Sequence, residues 1–131
     1  MGHEHGNLIQ TIKKVAKLNY GLDLRTNTVG RARMASGWHQ VGLGTGSSDL
    51  IGSLPLYGPK GLRIAQFCAV EVKIRGDCPS TEQQGYLDYI EARGGAAFVV
   101  WSIEDFIEEM SRHVLLMANH GLKLYVMRDR D

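Results

Sequence analysis

The sequence predicts an α/β fold, a small mixed β-sheet flanked by helices, formed by one domain over residues 1–131. Three observations predict it. Ile64–Ile74 is an apolar run with the length and composition of a buried strand. Residues 80–93 then carry a helix start signal, Ser80-Thr81-Glu82-Gln83, and end at Gly94-Gly95. Ala96–Trp101 is a second continuous apolar run. A buried strand, a helix and another buried strand in that order favour a parallel crossover.

The remaining elements follow from local pattern. Leu8, Ile9, Ile12, Val15 and Ala16 recur at helical spacing, so residues 7–19 read as an amphipathic helix stopped by Gly21. Lys13, Lys14 and Lys17 lie off its apolar stripe and read first as a solvated face, with a DNA-backbone contact as the alternative. Short strands are expected at Leu22–Thr26 and Trp38–Leu43. Asp49–Leu56 is a strand ended by Pro55 and the Tyr57–Gly61 turn, and it pairs with Ile64–Ile74 as an antiparallel hairpin. Ser102 opens a last helix whose apolar face is Phe106, Ile107, Met110 and Val114. Leu122, Leu124 and Val126 alternate with more polar residues as a final edge strand.

Composition bounds the function only loosely. A chain that is 44% hydrophobic and 22% charged is ordinary for a globular protein. A net charge of +1 does not announce a nucleic-acid partner, which would have to be met by local basic patches. Cys68 and Cys78 form no CxxC pair, and Cys68 reads as a small core hydrophobe in a reducing compartment. No signal peptide and no membrane-spanning run is apparent. Seven of the 16 glycines fall between Gly37 and Gly61, either as hairpin turns or as a loop that lets backbone approach a ligand.

The chemistry concentrates at Glu71-Val72-Lys73. Side chains alternate along a strand, so Glu71 and Lys73 share a face and Val72 takes the other. A carboxylate and an ammonium on an otherwise apolar strand are costly unless they pair or hold a metal. Asp49 supplies a second carboxylate after the glycine-rich turn. Two carboxylates and a lysine on neighbouring strands point to a Mg²⁺ or Mn²⁺ site for phosphodiester hydrolysis, with Asp49, Glu71 and the Val72 carbonyl as ligands. Lys73 would position the attacking water or stabilise the pentavalent phosphate. Gln83 shares a helix stripe with Tyr86, Leu87 and Ile90 and could reach the strand ends, or serve only as the third residue of the capping box. A Glu-x-Lys pair by itself is equally an ion pair on an exposed strand.

The ordered set Gly46-Ser47-Ser48-Asp49-Leu50-Ile51-Gly52, Val70-Glu71-Val72-Lys73, Ser80–Leu87, Gly94-Gly95 and Ser102–Asp105 resembles the VRR-NUC domain. That family is the virus-type replication-repair branch of the PD-(D/E)XK nucleases. Arg25-x-Asn27-x-x-Gly30 is similar to the family's upstream segment, and the likeness spans roughly residues 7–107. The resemblance implies a restriction-endonuclease-like core, with Asp49 and Glu71 as metal ligands, Lys73 as catalytic lysine and Gln83 as the motif glutamine. Ser48 stands where the superfamily has its proline, a change this branch tolerates. The resemblance also implies a short stand-alone phage-type endonuclease, cytoplasmic in a bacterial or phage-infected cell, acting as a homodimer on branched DNA such as Holliday junctions. The two-fold symmetry of a junction asks for two matched cuts. A flap or end nuclease, or a non-catalytic branched-DNA-binding module, are the rival readings. Arg25, Asn27, Arg31, Arg33, Lys60 and Arg75 are candidate DNA contacts, each equally readable as a solvated surface residue.

One departure stands out. Members of the family it resembles usually carry a glutamate on the first helix, and residues 7–19 contain none; Glu4 lies just ahead. Either the helix begins earlier or that ligand is missing. His3-x-His5 reads as a disordered terminus rather than a site, and His39, His113 and His120 lack zinc spacing. Glu104, Asp105, Glu108 and Glu109 read as a helix start and a solvated face, and Arg75-Gly76-Asp77 as a turn.

Overall fold

The first helix, α1 (Gly2–Tyr20), begins five residues earlier than its apolar stripe suggests, so it includes both Glu4 and His5. The computed structural model of the chain describes residues 2–28, 30–41, 43, 44 and 46–125, with backbone only at 2, 30–34 and 38–41. After α1 come β1 (Arg25–Thr26), β2 (Gly30–Met34), β3 (Gly37–Val41), β4 (Leu50–Tyr57), a 3₁₀ turn (Pro59–Gly61) and β5 (Arg63–Val72). The chain continues through α2 (Thr81–Ala92), β6 (Ala96–Val100), α3 (Ile103–Asn119) and β7 (Lys123–Leu124).

Among the described residues five strands form one mixed sheet in the order β1-β4-β5-β6, with β7 also pairing along β4. β4 and β5 are antiparallel from Leu50↔Val70 to Tyr57↔Arg63, the expected hairpin. β5 and β6 are parallel from Cys68↔Ala96 to Val72↔Val100, the expected crossover through α2. β1 and β7 are short edges on opposite ends of β4. The fold is therefore mixed α/β, a small sheet with helices against it.

Several expected boundaries move, each for a local reason. Pro55 lies inside β4 opposite Ala65 rather than ending it. Its carbonyl accepts the Tyr125 N–H at 2.9 Å on the outer side of the strand, so the N–H it lacks is missing from a thinly paired edge. The expected strand at Leu22–Thr26 contracts to Arg25–Thr26, because Leu22 and Leu24 turn into the core instead of pairing. The expected strand at Trp38–Leu43 is β3, and it pairs with an unforeseen partner, β2, as a separate two-stranded hairpin. Val126 lies outside the described residues.

The core lies between the sheet and helices α1 and α3. Cys68, Val70 and Val72 of β5 pack with Ile12 and Ala16 of α1 and with Phe106 and Met110 of α3. Ile107 was expected on that apolar face but stays exposed; Phe106 and Met110 are the buried residues of α3, with Ile103, Val114 and Met117 partly buried against the core. Cys68 behaves as a core hydrophobe, and burial pushes its thiol pKa up to about 12. Ala69 and Glu71 are buried too, one step out of phase, so they face the other side of the sheet. α2, which buries Leu87, packs against β5 and β6. No described helix is long and apolar enough to cross a membrane.

Two glycines with opposite surroundings test this packing. A Cβ on Gly52 in β4 would lie 2.7 Å from the Asp23 carbonyl oxygen, a backbone atom that cannot swing away. Gly52→Ala is expected to destabilise by about 1–3 kcal/mol. Gly85, inside α2, has nothing within 4 Å, and Gly85→Ala is expected to stabilise by up to about 1 kcal/mol. Urea midpoints of both variants check this; equal shifts would contradict it.

His113 on α3 gives a pH signature. Its Nε2–H donates to Gln66 Oε1 at 2.7 Å, and burial holds its pKa below the ordinary 6.5. The unfolded chain therefore takes up this proton first as pH falls, and stability present above pH 6.5 is lost below it. Urea midpoints between pH 7 and 5 should fall less steeply in His113→Gln than in the parent chain; identical slopes would contradict the assignment.

Candidate active site at the open end of the central hairpin

The backbone ladder between β4 and β5 stops at Leu50↔Val70, and side chains continue it. The Asp49 N–H donates to Glu71 Oε1 at 3.1 Å, and the Val72 N–H donates to Asp49 Oδ2 at 3.0 Å. Each acid thus holds the backbone of the other strand. Asp49 lies one residue before β4, and Lys73 one residue beyond β5. Lys73 is fixed by its own N–H, which donates to the Val100 carbonyl of β6 at 2.9 Å. Its Nζ lies 3.1 Å from Glu71 Oε2. Asp49, Glu71 and Lys73 therefore meet, as expected.

Glu71 is almost wholly buried. Burial pushes its pKa up, the negative charge of Asp49 adds to that, and Lys73 opposes both. Two carboxylates against one ammonium leave the cluster short of positive charge. Asp49 is the accessible member, with about a third of its side chain exposed (32%), and it faces an open cleft of about 330 Å³.

The glycine-rich segment serves as the platform for Asp49. Asn27 is buried, and its side-chain amide donates to Ser47 Oγ at 2.8 Å and to the Ser48 carbonyl at 2.9 Å. Its Oδ1 accepts the Leu43 N–H at 3.1 Å. The Asn27 N–H also donates to the Asp49 carbonyl at 2.8 Å. Asn27 was a candidate DNA contact; its amide is committed inside the protein and pins the loop that carries Asp49. Gly46, at φ +86°, lets this loop close on α2, where an added Cβ would lie 3.0 Å from the Glu82 Cβ.

The expected capping box on α2 is present. Ser80 Oγ accepts the Gln83 N–H at 3.1 Å, and Gln83 Oε1 accepts the Ser80 N–H at 2.9 Å. Gln83 also lines the cleft, so both roles expected of it hold in part: its oxygen is spent on the cap, and its Nε2 makes no hydrogen bond among the described residues.

Two cleft residues went unrecognised in the sequence. His5, read there as part of a disordered terminus, lies in the first turns of α1, and its Nε2–H donates to the Val72 carbonyl oxygen at 2.8 Å. The same Nε2 is 3.5 Å from Asp49 Oδ2. The signal was available: His5 is in helical phase with Ile9, Ile12 and Ala16, the face α1 turns to the sheet. Glu4, the acid weighed as a replacement ligand, is exposed and does not line the cleft. Asp77, in the turn read from Arg75-Gly76-Asp77, adds a third carboxylate to the cleft wall. Its carbonyl accepts the Trp101 Nε1–H at 2.6 Å, which ties that turn to the end of β6.

The expected DNA contacts scatter. Arg25 is exposed on β1, near the site's end of β4, and pairs with Asp23 at 2.8 Å. Arg75 is exposed in the turn just after β5. Lys60 sits in the 3₁₀ turn at the far end of the hairpin. From Leu50 to Tyr57 β4 runs seven residue steps of about 3.4 Å, so roughly 24 Å of strand separates the acids' end from the end that carries Lys60, and the structure does not bring it to the site. Arg31 and Arg33 are on β2, and their side chains lie outside the described residues.

No protein-family model matches the chain, and neither a curated protein nor a solved structure does.

Removing the ammonium should expose the balance of charges. In Lys73→Met, with divalent metal chelated, burial and the Asp49 charge act on Glu71 opposed only by the Asp49 N–H bond, so its pKa is expected to rise further. The variant should lose about 1–3 kcal/mol near neutral pH, the cost of leaving a buried group without its partner. Part of that loss should return as pH falls through the elevated Glu71 pKa, where the carboxyl becomes neutral. Carboxyl ¹³C titration by NMR and urea midpoints read both effects; an unmoved Glu71 would contradict them.

Proposed function

We propose that the chain is a metal-dependent structure-specific DNA endonuclease that hydrolyses phosphodiester bonds in branched DNA, Holliday junctions among them. The observation that carries the reading is the meeting of Asp49, Glu71, Lys73 and the Val72 carbonyl edge in one cleft at the open end of the β4–β5 hairpin. The restriction-endonuclease-like core and the likeness to VRR-NUC domains belong to the same proposal. The ordered motifs support them, as does a mixed sheet with those motifs at its strand ends.

The donor set suits Mg²⁺ or Mn²⁺. Among the described residues no three His, Cys, Asp or Glu side chains form a ready cage. The proposed set is two carboxylates and a backbone carbonyl, oxygen donors of the kind a hard cation prefers. Carboxylate oxygens carry spare lone pairs, so Asp49 and Glu71 can keep their present partners and still ligate. The charge deficit of the pair is a further reason a cation would be held. When bound, the metal supplies an activated water and neutralises charge on the phosphate.

The protein's own residues do the rest. Asp49 and Glu71 fix the ligand geometry through their exchange of backbone hydrogen bonds. Lys73, held between Glu71 and β6, orients the attacking water or meets the charge that develops on the phosphate oxygens. Gln83 offers its Nε2–H groups to the phosphate from the cleft wall. Arg25 and Arg75 meet the DNA backbone near this end of the sheet. Two copies acting together make matched cuts in a two-fold junction.

A labelled four-way junction, a flap and a linear duplex, each with Mg²⁺ or Mn²⁺, test the reading. Symmetric nicks in the junction are expected, lowered more than about 100-fold in Asp49→Ala, Glu71→Ala or Lys73→Ala. Cutting confined to flaps or ends would keep the nuclease and remove the junction specificity. Tight binding without cleavage under any metal would favour a non-catalytic branched-DNA module. Full activity in all three folded variants would sink the proposal.

A further inference from the structure

We infer that His5 is itself a ligand of the divalent metal, beside Asp49 and the Val72 carbonyl, and that it tilts the proposed site toward Mn²⁺. The inference rests on the proposed metal site and adds a nitrogen donor from α1 to it. His5 Nε2 lies 2.8 Å from the Val72 carbonyl oxygen and 3.5 Å from Asp49 Oδ2. Neighbouring donors around a metal with bonds of about 2.1 Å are about 3 Å apart when the ligand angle is near a right angle. The imidazole nitrogen therefore already sits at ligand spacing from two proposed oxygen donors.

The placement is built into the fold. α1 is anchored by Ile12 and Ala16, both fully buried in the core. The same helix face carries Ile9 and then His5 to the open ends of β4 and β5. In the metal-free protein Nε2 carries a hydrogen and bridges the space between carbonyl and carboxylate. Metal binding exchanges the ring tautomer: the proton moves through solvent from Nε2 to Nδ1, and the freed Nε2 lone pair takes the metal. The imidazole stays neutral, so protons balance. The ring is over a third exposed, with 38% of the side chain accessible, so water can carry that proton.

An imidazole changes which metal is preferred. Mg²⁺ favours all-oxygen shells, whereas a nitrogen donor is better accepted by a transition ion. The chain should therefore bind Mn²⁺ more tightly than Mg²⁺, and the preference should shrink without His5.

Mn²⁺ electron spin-echo spectroscopy on the purified chain reads the ligand directly. The expected result is ¹⁴N modulation from a bound imidazole in the parent chain and in His3→Ala, absent in His5→Ala. Calorimetry should show Mn²⁺ affinity lowered at least about tenfold in His5→Ala. His5→Asp should recover affinity without ¹⁴N modulation and favour Mg²⁺. Circular dichroism confirms that each variant is folded. Mn²⁺ binding that depends on Asp49 but shows no ¹⁴N modulation would overturn the role of His5 and leave the oxygen site standing. Modulation that persists in His5→Ala would also overturn it. No Mn²⁺ binding, or binding indifferent to Asp49→Ala, would overturn both the inference and the metal site beneath it.

Discussion

The exchange of backbone hydrogen bonds between Asp49 and Glu71 is the constraint on which the rest of the site depends. Where the β4–β5 ladder ends, the next N–H groups on the two strands would otherwise be left without partners. Two carboxylates satisfy them, and in doing so they are drawn together across the opening. That closeness is electrostatically unfavourable, as the upward push of Asp49 on the Glu71 pKa shows. The same groups that complete the sheet thus create a need for positive charge at its end. Lys73 meets part of that need.

The surrounding elements bring different chemistry to this one point. The parallel crossover through α2 sets β6 beside β5, and the Val100 carbonyl then fixes the backbone of Lys73. The capping box at the start of α2 places Gln83 on the cleft wall. Asn27 locks the glycine-rich loop so that Asp49 enters β4 at a fixed height. α1 crosses the same sheet from the core side and ends its run of packing residues at His5. The cleft draws on α1, the loop that Asn27 pins, the end of β5, the turn after it and the start of α2, so its geometry is tied to the stability of the fold.

Much of this was legible in the sequence because it rests on short-range pattern. The central hairpin, the crossover, the Ser80 cap and the meeting of Asp49, Glu71 and Lys73 all follow from runs of apolar residues, strand alternation and capping chemistry. The parts that were not legible depend on long-range packing. Whether Asn27 faces solvent or a loop is decided by Leu43, Ser47 and Ser48, which come 16 to 21 residues later. Ile107 is as apolar as Phe106, and only the tilt of α3 on the sheet decides which of them is buried. Lys60 looked available because basic charge in a turn is visible in sequence, while its distance from the acids is a matter of hairpin direction. His5 was hidden by its place near the terminus, although its helical phase pointed inward.

Anomalous diffraction from a crystal of the chain soaked in Mn²⁺ tests the central claim, that these groups form a metal centre, most directly. A single strong manganese peak within about 2.0–2.5 Å of both Asp49 Oδ2 and the Val72 carbonyl oxygen is the expected result. A crystal with millimolar Mn²⁺ and no peak at the ends of β4 and β5, or peaks only elsewhere on the surface, would contradict it.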